Sequence, residues 1–121
     1  MKYVLALALA IAAIQKDPTA SDSSAALVAD GVAVYATLSN PTMYDAYVDG
    51  GESDAGKVVL REGEKAASTI TIPSFGSVEL KAGGPFVLVT DLKNQLKAGD
   101  QIKVTLSTDG GAAIAVAATI R

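Results

Sequence analysis

Histidine, cysteine and tryptophan are all missing from this chain of 121 residues, and its two methionines are Met1 and Met43. Without cysteine there is no disulfide, no thiolate metal site and no cysteine nucleophile. Without histidine the usual general base and the commonest transition-metal ligand are gone. The lack of cysteine fits any redox compartment. Charge of one sign is also scarce: 10 basic against 13 acidic residues leave a net charge of −3. That argues against nucleic acid as a partner, which calls for a basic face, and against electrostatic docking on anionic lipid. No G-x-S-x-G or S-x-x-K motif is present. General acid–base work would fall to a carboxylate or lysine of shifted pKa, which no residue pattern here indicates. The chain is read as non-enzymatic, with no cofactor and no small-molecule substrate identified.

Half of the residues are hydrophobic, enough for the core of one domain. They are mostly Ala, Val, Leu and Ile, so stability rests on many modest contacts. Met1 and Lys2 are followed by an unbroken apolar run, Tyr3 to Ile14, and then by Gln15, Lys16, Asp17 and Pro18. A spanning helix needs about 20 apolar residues, and this run is shorter. It has the length of a signal-peptide core, with Ala8-Leu9-Ala10 or Ala10-Ile11-Ala12 as a cleavage site. Residues 1–15 are therefore read as an export leader, placing the protein in the periplasm, at the cell surface or outside the cell. With no cysteine after the run, it is not expected to carry a lipoprotein anchor. The alternatives are a retained segment that docks on a partner or neighbouring subunit, through which alone membrane contact would arise, and a buried strand or helix of the domain itself. Residues 16–24 (KDPTASDSS) read as a polar linker, and residues 25–121 as the domain.

Within that domain, short apolar runs alternate with Gly, Asp, Asn and Pro. Gly31 to Ser39 has period-two character and ends at the turn signal Asn40-Pro41. Ala46 to Val48 precedes Asp49-Gly50-Gly51. Lys57 to Arg61, Ser68 to Ile72 and Ser77 to Leu80 follow. Phe86 to Val89 is uniformly apolar, as a strand covered on both faces would be. Gln101 to Ser107 alternates, Asp109-Gly110-Gly111 offers a hairpin turn, and Ala112 to Ile120 closes the chain. About eight strands and no long amphipathic helix after the leader predict an all-β fold, an antiparallel β-sandwich or small barrel.

These segments, in this order, carry a resemblance. Ala33 to Pro41 (AVYATLSNP) is similar to the "AvYltlxNp" strand of the periplasmic copper chaperones called PCu(A)C. Asp45-Ala46-Tyr47-Val48 falls at that family's "D-x-L-v" segment. Ile72-Pro73 with Val78 to Gly84 resembles "IPagg-vxLkpGG". Leu92, Leu96 to Asp100 and Val104-Thr105-Leu106 resemble "L…LkxGDxvxvtL". Gly110-Gly111 to Ala117 sits at the closing "aGxvxvxvpV". The resemblance spans Val32 to Ile120 and implies a cupredoxin-like barrel. In copper-binding members it implies a His after the "D-x-L" segment, a Met further on, and an H-x-M pair after the GG turn. Carried over, the first His position is Arg61, the Met falls near Ala66 or Ala67, and the pair falls at Phe86 and Leu88. Cu(I) prefers thioether, thiolate or imidazole donors, and Arg61 adds a fixed positive charge. The expectation is a PCu(A)C-like domain without a copper site.

Three other features have plainer readings. Met43 follows Asn40-Pro41, and one thioether cannot hold copper; it reads as a loop or edge residue filling a gap. Asp45, Asp49, Glu52 and Asp54 are acidic residues in a Gly-rich stretch that could form a weak calcium loop, but the spacing is not that of an EF-hand and a solvated loop is the simpler reading. Arg61 to Lys65 reads as a solvated hairpin tip. Two functional expectations follow. One is an exported binding or accessory module that contacts a protein through Arg61, Phe86 and Leu88. The other is a structural, filament-like subunit that self-assembles through Tyr3–Ile14 by strand addition.

Overall fold

The computed structural model describes residues 17–121. The apolar run Tyr3–Ile14 and its reading as a leader lie outside the described residues.

Alternation of side chains across each strand organises the fold. Gln101–Thr108 buries Ile102, Val104, Leu106 and Thr108 and exposes the residues between them. Ala113–Thr119 does the same with Ile114, Val116 and Ala118. The two pair antiparallel, so that Leu106 opposes Ile114 and Val104 opposes Val116 on one face. In chain order there are ten strands: β1 (Thr19–Val28), β2 (Gly31–Ser39), β3 (Ala46–Glu52), β4 (Lys57–Glu62), β5 (Lys65–Ala66), β6 (Ile70–Ile72), β7 (Ser77–Glu79), β8 (Pro85–Thr90), β9 (Gln101–Thr108) and β10 (Ala113–Thr119). One sheet runs β1-β2-β8-β4-β5, with β7 also paired to β2; the other runs β10-β9-β3-β6. All strand pairs are antiparallel.

The core lies between the sheets. Leu38, Val34 and Val32 of β2 and Val87 and Val89 of β8 meet Val48, Ile72, Ile102, Leu106 and Ile114 from the opposite sheet. Each such side chain contributes about 1.5–3 kcal/mol on full burial. Along one edge the sheets are joined: Ala25 forms a parallel bridge with Ile120, and the Arg121 N–H donates to the Ala25 carbonyl at 2.9 Å. The all-β, barrel-like expectation therefore holds, and β8, with Val87, Leu88 and Val89 all buried, is the doubly covered central strand that its composition indicated.

Two local expectations are corrected. Residues 16–24 are not a linker throughout, because β1 starts at Thr19 and the domain starts with it. Polar composition hid this strand. It is an edge strand whose backbone pairs with β2 except at a bulge between Ser21 and Ser24, where Asp22 takes a positive φ of 52°. The Gly-rich stretch Asp49-Gly50-Gly51, read as a solvated loop, is likewise strand. β3 continues through it with a register shift against β9. A Cβ at Gly51 would lie 2.7 Å from the Thr105 carbonyl oxygen, so glycine there permits close approach of two backbones.

Gly31, at the β1–β2 turn, is the more demanding position. Its φ is +150°, and a Cβ would lie 2.0 Å from the Val89 carbonyl oxygen. That oxygen belongs to the central strand and cannot yield. Gly31→Ala is expected to cost about 3 kcal/mol, a drop in Tm of roughly 15 °C for a domain of this size. Thermal denaturation followed by circular dichroism checks this, and a loss under 3 °C would contradict the geometry.

Candidate binding face

Outward-pointing residues of the larger sheet converge on one site. In β8, Val87 and Val89 face the core, so Phe86 and Leu88 face the other way. In β2, Val32 and Val34 face inward and Ala33 and Tyr35 outward. Pairing aligns these sets: Leu88 opposes Ala33 on one side and Val59 on the other, and Phe86 opposes Arg61. Arg61 in turn opposes Ala66 of β5. Directly opposed residues share a face of the sheet, so Phe86, Arg61 and Ala66 form one cross-strand row and Leu88 stands two residues along β8.

Around this row lies a trough of about 490 Å³ lined by Val28, Ala33, Tyr35, Arg61, Phe86 and Leu88, among others. Its volume falls within the usual range of ligand pockets, about 300–1,000 Å³. Ala33 and Leu88 are buried yet stand outside the main core cluster, forming a second apolar floor on the outer face. Leu88 is only 4% exposed, so it is floor rather than open contact surface. Phe86 is half-buried and also packs against the margin of the core. The Tyr35 and Phe86 rings lie 6.1 Å apart at 57°, a tilted aromatic pair that adds about 0.5–1.5 kcal/mol beyond burial.

Arg61 is the polar element of the trough. Its Nη2 donates to the Glu64 carbonyl at 2.5 Å, which fixes the guanidinium across the β4–β5 hairpin. Its Nε is buried and has no hydrogen-bond partner among the described residues. A buried donor without an acceptor costs about 1–3 kcal/mol, so the site carries an unused hydrogen-bonding capacity. Asp30 and Glu64 also line the trough. One cation between two carboxylates favours an uncharged acceptor, such as a peptide carbonyl, over an anion.

Of the positions that the resemblance assigns to copper ligands, Arg61, Phe86 and Leu88 line the trough and Ala66, one of two residues near the Met position, lies in the same cross-strand row; their side chains are guanidinium, phenyl, isobutyl and methyl. None supplies the soft or imidazole donor that Cu(I) takes. Met43 is 65% exposed and does not line the trough. The residues present do not fit a copper ion at this face. The acidic residues do not assemble either: among the described residues no three His, Cys, Asp or Glu side chains form a metal-holding group. Asp45 accepts from the Ser74 N–H at 2.9 Å, and Asp49 accepts from the Ser107 hydroxyl at 3.0 Å. Asp45 and Glu52 flank opposite ends of β3, roughly 20 Å apart at strand rise.

Sequence reasoning named Arg61, Phe86 and Leu88 as candidates and did not name Tyr35, Ala33 and Val28, which line the same trough. The alternation in β2 placed Ala33 and Tyr35 on the face opposite Val32 and Val34. Which strand would lie beside them was not encoded locally.

Comparison with solved structures agrees with this architecture. The copper-bound PCuAC domain from PmoF2 superposes with a TM-score of 0.72 at 16% identity, over 84% of this chain and 90% of that one. The apo PCuAC domain from PmoF1 gives 0.71 at 20% identity, over 84% and 91%. The solution structure of Cu(I)-DR1885 from Deinococcus radiodurans gives 0.69 at 26% identity, over 84% and 78%. No curated protein matches the chain. A family model described as "Putative lipoprotein LpqE-like" matches residues 9–120. Because that match runs through both sheets and every strand lining the trough, the chain belongs to the LpqE-like family, whose fold is that of the PCuAC domains.

Proposed function

We propose that this protein is an extracytoplasmic, non-enzymatic binding module in which the face equivalent to a copper site receives an apolar segment of a protein partner. The carrying observation is the juxtaposition of Arg61, Phe86 and Leu88 in one trough, with no copper-competent donor and an unpartnered Arg61 Nε. A partner's apolar side chain would sit over Leu88 and Ala33, beside the Phe86 and Tyr35 rings. A carbonyl of the same segment would accept from the Arg61 guanidinium, whose side chain must turn toward the trough for Nε to be reached. The extracytoplasmic setting is supported by the LpqE-like match and by the signal-like composition of Tyr3–Ile14. The family description speaks of putative lipoproteins. Lipid attachment through cysteine has no acceptor among these 121 residues.

The residue built for binding should be dispensable for folding. Arg61→Met removes an unsatisfied buried donor and one hydrogen bond, so stability is expected to stay within about 1 kcal/mol of the parent. Partner capture should nevertheless fall at least tenfold in Arg61→Met and in Phe86→Ala. Denaturant unfolding and quantitative pull-down with the purified partner check the two halves. Capture unchanged in both variants would remove this face as the binding site.

A further inference from the structure

We infer that the end of the domain formed by residues 40–45 and 73–76 is a lipid-facing surface, which seats Met43, Tyr44 and Phe75 in the interfacial zone of a bilayer. This goes beyond the trough reading, since it involves neither its residues nor its partner.

Three of the largest exposed apolar side chains of the described residues gather here: Met43 at 65%, Tyr44 at 74% and Phe75 at 72% exposure. They are held on a stiff platform. Asn40, buried at 2%, donates through Nδ2 to the Tyr44 and Ile72 carbonyls and accepts at Oδ1 from the Thr42 N–H and hydroxyl. The Phe75 N–H donates to the Thr42 carbonyl at 3.0 Å, and the Ser74 N–H to Asp45 Oδ1 at 2.9 Å. Phe75 adopts a left-handed φ of 53°. A bulky residue held in that conformation and aimed at solvent is costly for folding alone and points to a use outside the fold.

The chemistry and the chain path select lipid. The two loops contain no lysine or arginine, and the carboxylate of Asp45, their single formal charge, is already engaged by Ser74. Tyrosine, phenylalanine and methionine without basic residues suit an uncharged headgroup region, where amphipathic aromatic rings concentrate. Strand β1 begins at this same end: Thr19 pairs with Ser39 and shares a shallow groove with Pro41 and Phe75. The apolar run Tyr3–Ile14 precedes Thr19 by four intervening residues, a reach of at most about 18 Å. On the reading in which Tyr3–Ile14 is retained rather than cleaved, a bilayer that takes up the run must lie within that reach of the aromatic end. Such tethering raises the local concentration enough for three side chains to set orientation.

The test uses the full chain with phosphatidylcholine vesicles carrying a headgroup spin label, read as paramagnetic broadening of backbone amides. Broadening concentrated at residues 43, 44 and 75, with Arg61 and Phe86 at least fivefold less affected, is the expected result. The combined variant Met43→Ser, Tyr44→Ser, Phe75→Ser should abolish that pattern while the domain melts at the parental temperature. The parental map decides alone should the variant not fold. No vesicle association, uniform broadening, or broadening centred on the trough would overturn the inference. So would protection of these loops by concentration-dependent pairing of two copies or by a soluble protein alone.

Discussion

Grafting four residues onto the outer face should convert it into a Cu(I) site. The variant carries Arg61→His, Ala66→Met, Phe86→His and Leu88→Met. Phe86 and Ala66 are the cross-strand partners of Arg61, and opposed side chains stand about 4.5–5.5 Å apart at Cβ. Two imidazoles at the first pair can therefore share one ion. A thioether from Ala66→Met extends the row, and one from Leu88→Met approaches from two residues along β8. The substitutions also delete the guanidinium whose charge opposes a cation and whose Nε has no partner among the described residues. Cu(I) affinity is expected to rise by about 10³-fold or more over the parent, on the order of 4 kcal/mol, in anaerobic competition with a chromogenic chelator. A graft that folds but competes no better than the parent would show that the ligand positions were carried over onto the wrong residues.

Asn40→Ala should be among the most damaging single changes outside the apolar core. Asn40 and Thr108 are the buried polar residues of the described chain. The Asn40 side chain satisfies the Tyr44 carbonyl at 2.8 Å, the Ile72 carbonyl at 3.0 Å and the Thr42 N–H at 3.0 Å. Alanine would strand these groups, at about 1–3 kcal/mol for each one left without water. Water can reach the more exposed Tyr44 end, so the expected total is about 3 kcal/mol, or roughly 15 °C in Tm. Amide exchange in residues 41–45 and 73–76 should quicken more than in β9, because those loops lose their shared anchor. Asn40→Asp keeps the acceptor but loses both donated bonds and buries a charge, so it should not rescue. A loss below about 1 kcal/mol in Asn40→Ala would mean that the backbone pairs Phe75–Thr42 and Asn40–Gly76 hold the loops without the side chain.

The legible part of this fold was the part governed by local alternation. β2, β9 and β10 announce themselves because one face is buried and the other solvated, and β8 because both faces are covered. The start of β1 was illegible because Thr19 to Ser24 is mostly polar: an edge strand needs a partner's backbone more than an apolar face, and its partner β2 lies across a turn. Gly50 and Gly51 mimicked a loop because glycine serves both irregular turns and close backbone approach. The candidate site was half legible. Arg61, Phe86 and Leu88 were reached through their alignment with ligand positions of a known family. Tyr35 and Ala33 required knowing that β2 packs beside β8, a pairing separated by some fifty residues of chain. The platform of Met43, Tyr44 and Phe75 escaped for the same reason, since two loops distant in sequence meet through Asn40.

Cu(I) titration of the unmodified full chain under anaerobic conditions, followed by competition and by resonances of Tyr35 and Phe86, tests the central claim that this LpqE-like face binds a partner in place of copper. The account predicts that the chelator keeps the metal and that the Tyr35 and Phe86 signals do not move. One equivalent of Cu(I) withdrawn from the chelator, with shifts centred on the trough, would contradict it.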